Sequence, residues 1–364
     1  MIWKGKKRHK PSKPVTPARS AGMSMFELPA WPPQWPEIAA AIETVIASGD
    51  WGRYHTSLCR DLQSALRDQF AVAACQLTCS GTAAIELALR AARVGPGDEV
   101  IIAAYDYPGN FRTIELLGAT PVLVDVAADS PCMDATQLAA VASPRVVAVI
   151  ASHLYGQAAP IEAIRSRCQD HGWLLIEDAC QVPGMRIGQR PAGSFGDLAA
   201  LSFGGSKPIT CGTGGALLIS NELLAARLTA IVDRPSDTYP LSPLQAATIG
   251  PQLDRLSEMN RIRAATARFL IDARPDLQWI DGNDPHVTPA YYKLAWQSTL
   301  PHAHPSLPIG SGFRAAAQIS PRRCRKPVPL DRSLELAHRC RLLDHRALLI
   351  DAADHQKLAD ALPR

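Results

Sequence analysis

Three short segments of this 364-residue chain set polar, reactive side chains beside apolar runs and glycines, where a simple core would not choose them. In Leu174-Leu175-Ile176-Glu177-Asp178 a carboxylate ends an apolar run. A charge there is costly unless it meets a cation or several donors. The protonated nitrogen of a bound pyridine ring would be such a cation, and the ring would then draw electrons; Asp178 capping the next helix is the alternative. In Ser202-Phe203-Gly204-Gly205-Ser206-Lys207 small residues flank a lysine next to a glycine-rich turn. Partial desolvation would favour its neutral amine, a nucleophile towards carbonyls, although the same residues suit a surface turn. An ATP loop is excluded, because that pattern needs glycine before the lysine and Ser or Thr after it, whereas Ser206 and Pro208 flank Lys207. In Cys79-Ser80-Gly81-Thr82-Ala83-Ala84 a strand turns through glycine into a helix. The first amides of that helix, with its dipole, suit a phosphate; a plain cap by Ser80 or Thr82 would use the same residues.

These segments need a scaffold that brings strand ends together. From Glu37 to about Ser220 amphipathic stretches alternate with short apolar runs bounded by Gly, Pro and Asp, the rhythm of an α/β domain. A helix is expected over 83–92, ending before Gly95-Pro96-Gly97. A strand is expected at 76–78, and buried parallel strands at 100–103, 121–126, 146–152, 173–176 and 216–219. The loops carrying His153-Leu154-Tyr155-Gly156, 177–181 and 202–215 then follow strand ends, the edge where an open α/β sheet binds ligands. After Arg234 the pattern changes. Pro251 is placed in the first turn of a helix reaching about Arg274, with Leu253, Leu256, Met259, Ile262 and Phe269 on its apolar side. From Pro285 strands are weakly marked, and a smaller second domain is expected.

Composition narrows the function classes. The chain is 47% apolar and 20% charged, an ordinary globular mixture. No apolar run approaches the ~20 residues of a membrane span, so no membrane partner is expected. Nine cysteines in an odd, scattered set suit reduced thiols in a cytoplasm. No metal is expected: Cys75 and Cys79 lack a second pair, and His302 with His304 lacks a third ligand. Seven cations precede the first acid, Glu27, so the formal net charge of +4 becomes −3 in the remaining body. The basic head, 1–22, is expected to be a solvated, disordered tail rather than a nucleic-acid arm or a secretory signal.

In order along the chain, a phosphate-binding helix start, a strand-end Asp and a small-residue-flanked Lys are the arrangement of fold type I pyridoxal phosphate enzymes. With Val94-Gly95-Pro96-Gly97-Asp98-Glu99-Val100-Ile101, Gly118-Ala119-Thr120-Pro121-Val122, His153-Leu154-Tyr155-Gly156 and Ile176 to Gln181, the chain resembles the DegT/StrS-type sugar aminotransferases. The resemblance covers about Trp35 to Arg234. It implies an α/β fold: a large domain, 23–240, with a mostly parallel sheet flanked by helices, and a small α+β domain, 241–364. It also implies pyridoxal 5'-phosphate on Lys207, with Asp178 at the ring nitrogen, Gln181 near the phenolic oxygen, and Gly81, Thr82 and Ser202 on the phosphate. Tyr107 would stack on the ring, with Tyr105 the other candidate. Lys207 and Asp178 are the catalytic pair, and a cytoplasmic homodimer with a shared site would take an amino acid donor, Glu or Gln, and a keto-sugar-like acceptor. Two related alternatives are a sugar dehydratase, in which histidine replaces the lysine, and a binding homologue without turnover. The chain departs from the family at Thr213, where an acid is frequent, and at Thr238, near a frequent Asn that reaches the partner's phosphate.

Overall fold

The computed structural model describes residues 27–232, 239–282, 284–299 and 307–363. The basic head and Thr238 lie outside the described residues, as do His302 and His304.

Two helices, α1 (Pro36–Ser48) and α2 (Ser57–Phe70), precede an alternation of strand and helix. It runs β1 (Ala74–Thr78), α3 (Gly81–Ala91), β2 (Glu99–Ala103), α4 (Pro108–Leu116), β3 (Thr120–Val124), β4 (Val146–Ser152), α5 (Ile161–His171) and β5 (Leu174–Asp178). After a small hairpin, β6 (Arg186–Ile187) and β7 (Arg190–Pro191), come β8 (Leu198–Ser202), β9 (Gly215–Ile219) and α6 (Glu222–Val232). The large sheet has the order β1-β9-β8-β5-β4-β2-β3. Pairings β3-β2, β2-β4, β4-β5 and β5-β8 are parallel, so the carboxyl ends of those strands share one edge.

Strand β9 corrects the expectation of a parallel strand at 216–219: it runs antiparallel to both β8 and β1. All five of its residues are buried, as in a parallel core strand. Burial on both faces produces the apolar run, and that signal does not depend on direction. What reverses the strand is the helix-free return from Ser202 to Gly215, which brings Gly215 opposite Ser202.

The long helix α7 (Pro243–Ala273) corrects a second expectation, since Pro251 lies inside it rather than in its first turn. Its start is a capping box: Ser242 Oγ accepts from Gln245 N, Gln245 Oε1 accepts from Ser242 N, and Pro243 occupies the first turn. The buried face also differs from the apolar stripe. Gln252, Asn260 and Arg263 are buried, whereas Phe269 is exposed. Each polar residue has a partner: Gln252 exchanges hydrogen bonds with the backbone of Thr210, and Asn260 donates to the Pro183 carbonyl and accepts from Arg263. A second sheet follows, of order β10-β12-β14-β13, from β10 (Gln278–Trp279), β12 (Lys293–Gln297), β13 (Ile309–Ser311) and β14 (Cys340–Asp344). Strand β11 (Val287–Thr288) instead joins β6 and β7, and α8 (Asp331–Arg339) and α9 (His355–Ala361) complete the chain. Between β13 and α8 the chain returns to the large sheet, where Ala104 O accepts from Ala316 N and Pro121 O from Arg325 N.

Candidate functional site

The shared strand edge borders a cavity of about 420 Å³, within the size range of small-molecule sites. All seven expected residues, Gly81, Thr82, Tyr107, Asp178, Gln181, Ser202 and Lys207, line it. A larger groove of about 710 Å³, bordered by Gln157, Arg268 and Asp281, contains none of them.

The α3 start is built by close approach. Ser80 Oγ accepts from Ala83 N, so the cap exists, and it is made by Ser80 rather than Thr82. The Gly81 and Thr82 amides precede the first intrahelical bond and so remain available to an anion. A Cβ at Gly81 would lie 2.8 Å from Cys180 Sγ and 2.9 Å from Ser202 Cβ, so only glycine lets this turn reach the Ser202 hydroxyl. Gly215 faces the same turn from the other side, its ideal Cβ 2.6 Å from the Ser80 carbonyl carbon.

Asp178 is the last residue of β5 and is buried. Its Oδ2 accepts from Asn110 Nδ2 at 2.7 Å and its Oδ1 from Cys180 N at 3.0 Å. Both partners are neutral, and among the described residues no cation forms an ion pair with Asp178. A buried carboxylate with donors but no countercharge, facing a cavity, suits a cationic ligand atom. With the amide-and-hydroxyl cradle for an anion, the donor set fits a group that is anionic at one end and cationic at the other.

The rest of the cavity is aromatic and amine. Gln181 Oε1 accepts from Tyr155 N. Tyr107, 42% exposed, lines the cavity, and its ring lies where a Gly109 side chain would be, 2.3 Å from the ideal Cβ. Tyr105 is wholly buried instead, its hydroxyl bonded to the Tyr155 hydroxyl and to Phe313 N, which removes it as the stacking ring. Lys207 is half-buried, with Nζ 4.3 Å from the Tyr292 ring centre, and Tyr292 Oη pairs with Ser206 Oγ. Thr213, in place of an acid, accepts from Gln245 Nε2 through both its carbonyl and its hydroxyl, tying the loop before β9 to the start of α7.

His153, prominent in the sequence, has a structural role. Its Nδ1 accepts from Ala159 N, so Nε2 carries the hydrogen donated to Glu177 Oε1. Glu177 also accepts from the amides of Gly193, Phe195 and Gly196. Burial acts to raise its carboxyl, but His153 and those amides outweigh it and hold Glu177 below its ordinary value.

Sequence reasoning missed Asn110, Tyr292 and Lys293, all of which line the cavity. Asn110 lies on α4, three residues after Tyr107, and no local pattern announces it. Lys293 opens β12 of the second sheet, where it pairs with Asp344, and Tyr292 immediately precedes it.

A model described as the DegT/DnrJ/EryC1/StrS aminotransferase family matches residues 34–300. The L-glutamine:2-deoxy-scyllo-inosose aminotransferase of Micromonospora echinospora is 33% identical over 269 residues, 66% of this chain and 64% of its own. The GDP-perosamine synthase of Caulobacter vibrioides is 36% identical over 191 residues, 49% of this chain and 52% of its own. The chain therefore matches less than two thirds of the length of these relatives. A solved DegT DnrJ EryC1 StrS aminotransferase from Brucella abortus aligns with TM-score 0.80 and 25% identity, over 89% of this chain and 94% of that one.

Proposed function

The chain belongs to the DegT/DnrJ/EryC1/StrS aminotransferase family, and on that premise we propose that it is a pyridoxal 5'-phosphate-dependent aminotransferase. It moves nitrogen from an amino acid, glutamine or glutamate, to a keto sugar or similar cyclic ketone, in sugar or secondary-metabolite biosynthesis. The observation that carries this is buried Asp178, with no ion pair among the described residues, in one cavity with Lys207 and the open α3 start. When bound, the cofactor supplies an electron sink for charge developing at the donor's α carbon. The Gly81 and Thr82 amides and the Ser202 hydroxyl would hold its phosphate, and Asp178 would keep the ring nitrogen protonated. Gln181 would serve its phenolic oxygen. Tyr107 would cover the ring and exclude water, and Lys207 would be the amine that attaches the cofactor and moves a proton at the substrate carbon. The relatives' names, one pairing L-glutamine with 2-deoxy-scyllo-inosose and one a synthase of the amino sugar GDP-perosamine, support the substrate class.

The same proposal divides the chain into a cofactor-holding unit, 23–240, and a smaller one, 241–364; that the second sheet lies wholly after α7 supports it. It also makes the protein a homodimer with a shared site. Trp51 and Tyr54, 60% and 74% exposed, are large rings that a second copy would cover. A cytoplasmic setting agrees with nine free thiols; among the described residues no helix is long and apolar enough to cross a membrane. The test is the purified protein loaded with pyridoxal 5'-phosphate and given glutamine or glutamate with a panel of free and nucleotide-linked keto sugars and cyclic ketones. Donor-dependent change of the cofactor's visible absorption and an aminated product are expected. A bound cofactor that responds to no amino donor would overturn the proposal.

A further inference from the structure

Asp106 belongs to none of the motifs above, yet its carboxyl is buried next to that of Asp178. Its Oδ1 accepts from Tyr107 N at 2.6 Å, and its Oδ2 accepts from Ser152 Oγ at 2.9 Å. Between the two acids stands Asn110. Its Nδ2 donates to Asp178 Oδ2 at 2.7 Å, and the same nitrogen lies 3.3 Å from Ser152 Oγ and 3.5 Å from Asp106 Oδ1. Asn110 Oδ1 is buried without a partner among the described residues. An amide with one idle oxygen gains by turning over whenever a donor is offered to that oxygen. Turned over, it would set its oxygen against the Asp178 carboxylate.

The geometry points to Asp106 as a positioning residue: by engaging the Ser152 hydroxyl it keeps that oxygen an acceptor towards Asn110, so that Asn110 always presents an N–H, never its oxygen, to Asp178. With its hydrogen donated to Asp106 Oδ2, the Ser152 hydroxyl offers only lone pairs to Asn110. Burial first, and then the charge of Asp178, push the Asp106 carboxyl well above its ordinary range. The other ionisable groups that feel Asp106 are Tyr155, Cys132 and Cys180. Burial raises all three, Cys132 to about 11, so none supplies a countercharge.

For the cofactor this rests on the function proposed above, so the test has two arms. In the first, Asp106→Asn, which keeps an acceptor for the Ser152 hydroxyl, should bind pyridoxal 5'-phosphate within about threefold of the parent affinity with the same pH midpoint in its absorption. Asp106→Leu frees the Ser152 hydroxyl to donate to Asn110; it should lose affinity about tenfold or more and shift that midpoint. The second arm needs no cofactor. Urea midpoints of the apo protein form a cycle of Asp106→Leu with Asp178→Asn, in which an amide at 178 accepts either face of Asn110. The loss caused by Asp106→Leu should shrink clearly in the Asp178→Asn background. Additive midpoints would overturn the proposal, as would an Asp106→Asn protein as impaired as Asp106→Leu. A parent that binds no pyridoxal 5'-phosphate would sink the function reading alone, because the apo cycle decides this one by itself.

Discussion

Replacing Asp178 with Asn separates a ligand's countercharge from a helix cap. The carboxylate accepts from Asn110 Nδ2 at 2.7 Å and from Cys180 N at 3.0 Å. Asn at this position keeps one carbonyl oxygen, which suffices for the fixed Cys180 amide, and turns its NH₂ towards Asn110. Rotation of the Asn110 amide brings its idle oxygen to meet that NH₂, at the expense only of its two longer contacts, 3.3 Å to Ser152 Oγ and 3.5 Å to Asp106 Oδ1. What is lost is a buried carboxylate with no ion pair among the described residues, whose removal costs the empty protein little and relieves desolvation. The apo protein should therefore unfold at an unchanged or slightly higher temperature. With the cofactor bound the balance reverses, because the ring nitrogen loses its countercharge. We expect a barrier higher by about 4 kcal/mol, roughly a thousandfold in turnover. The assays are thermal unfolding with and without pyridoxal 5'-phosphate, and steady-state turnover with the best donor and acceptor. Turnover within about tenfold of the parent, ~1.4 kcal/mol, would refute the reasoning. So would an apo protein destabilised by more than ~2 kcal/mol, which would mark Asp178 as a structural cap.

Borohydride reduction of the loaded protein followed by peptide mapping should place the pyridoxyl group on Lys207, and label on another lysine would remove it from that role. Gly81→Ala drives a methyl against Cys180 Sγ and Ser202 Cβ; it should cost about 1–3 kcal/mol of stability and weaken cofactor binding in titration, whereas unchanged affinity would mean that the α3 start holds no phosphate. Buried His345 is lowered to about 3, by burial first and then by the charge of Arg263. The unfolded chain takes up that proton near pH 6.5 and the native one does not, so stability is full above about 6.5 and falls as pH drops towards 3, by at most ~1.4 kcal/mol per pH unit. Urea midpoints should show this decline for the parent and a flatter one for His345→Gln.

What the sequence determined by itself is local. The turn from strand to helix at Gly81, the carboxylate ending an apolar strand at Asp178 and the lysine beside a glycine-rich turn at Lys207 each depend on neighbours within a few residues, and all three meet in one cavity. Helix α3 formed where its spacing and cap place it. Only tertiary structure decided the rest. The direction of β9 escaped because two-sided burial gives the same apolar run in either direction. The buried face of α7 escaped because Gln252, Asn260 and Arg263 meet groups far away in sequence, on Thr210, Pro183 and His345, and a polar residue buried by such pairing leaves no apolar signature. Tyr105 and Tyr107 are equivalent in a sequence; a hydroxyl from residue 155 and an amide from residue 313 take one into the core and leave the other at the cavity. Asn110 reaches Asp178 across 68 residues and Tyr292 reaches Ser206 across 86. Contacts of that span are set by how strands order in a sheet and where a second sheet docks, and these follow from the packing of the whole chain rather than from any segment of it.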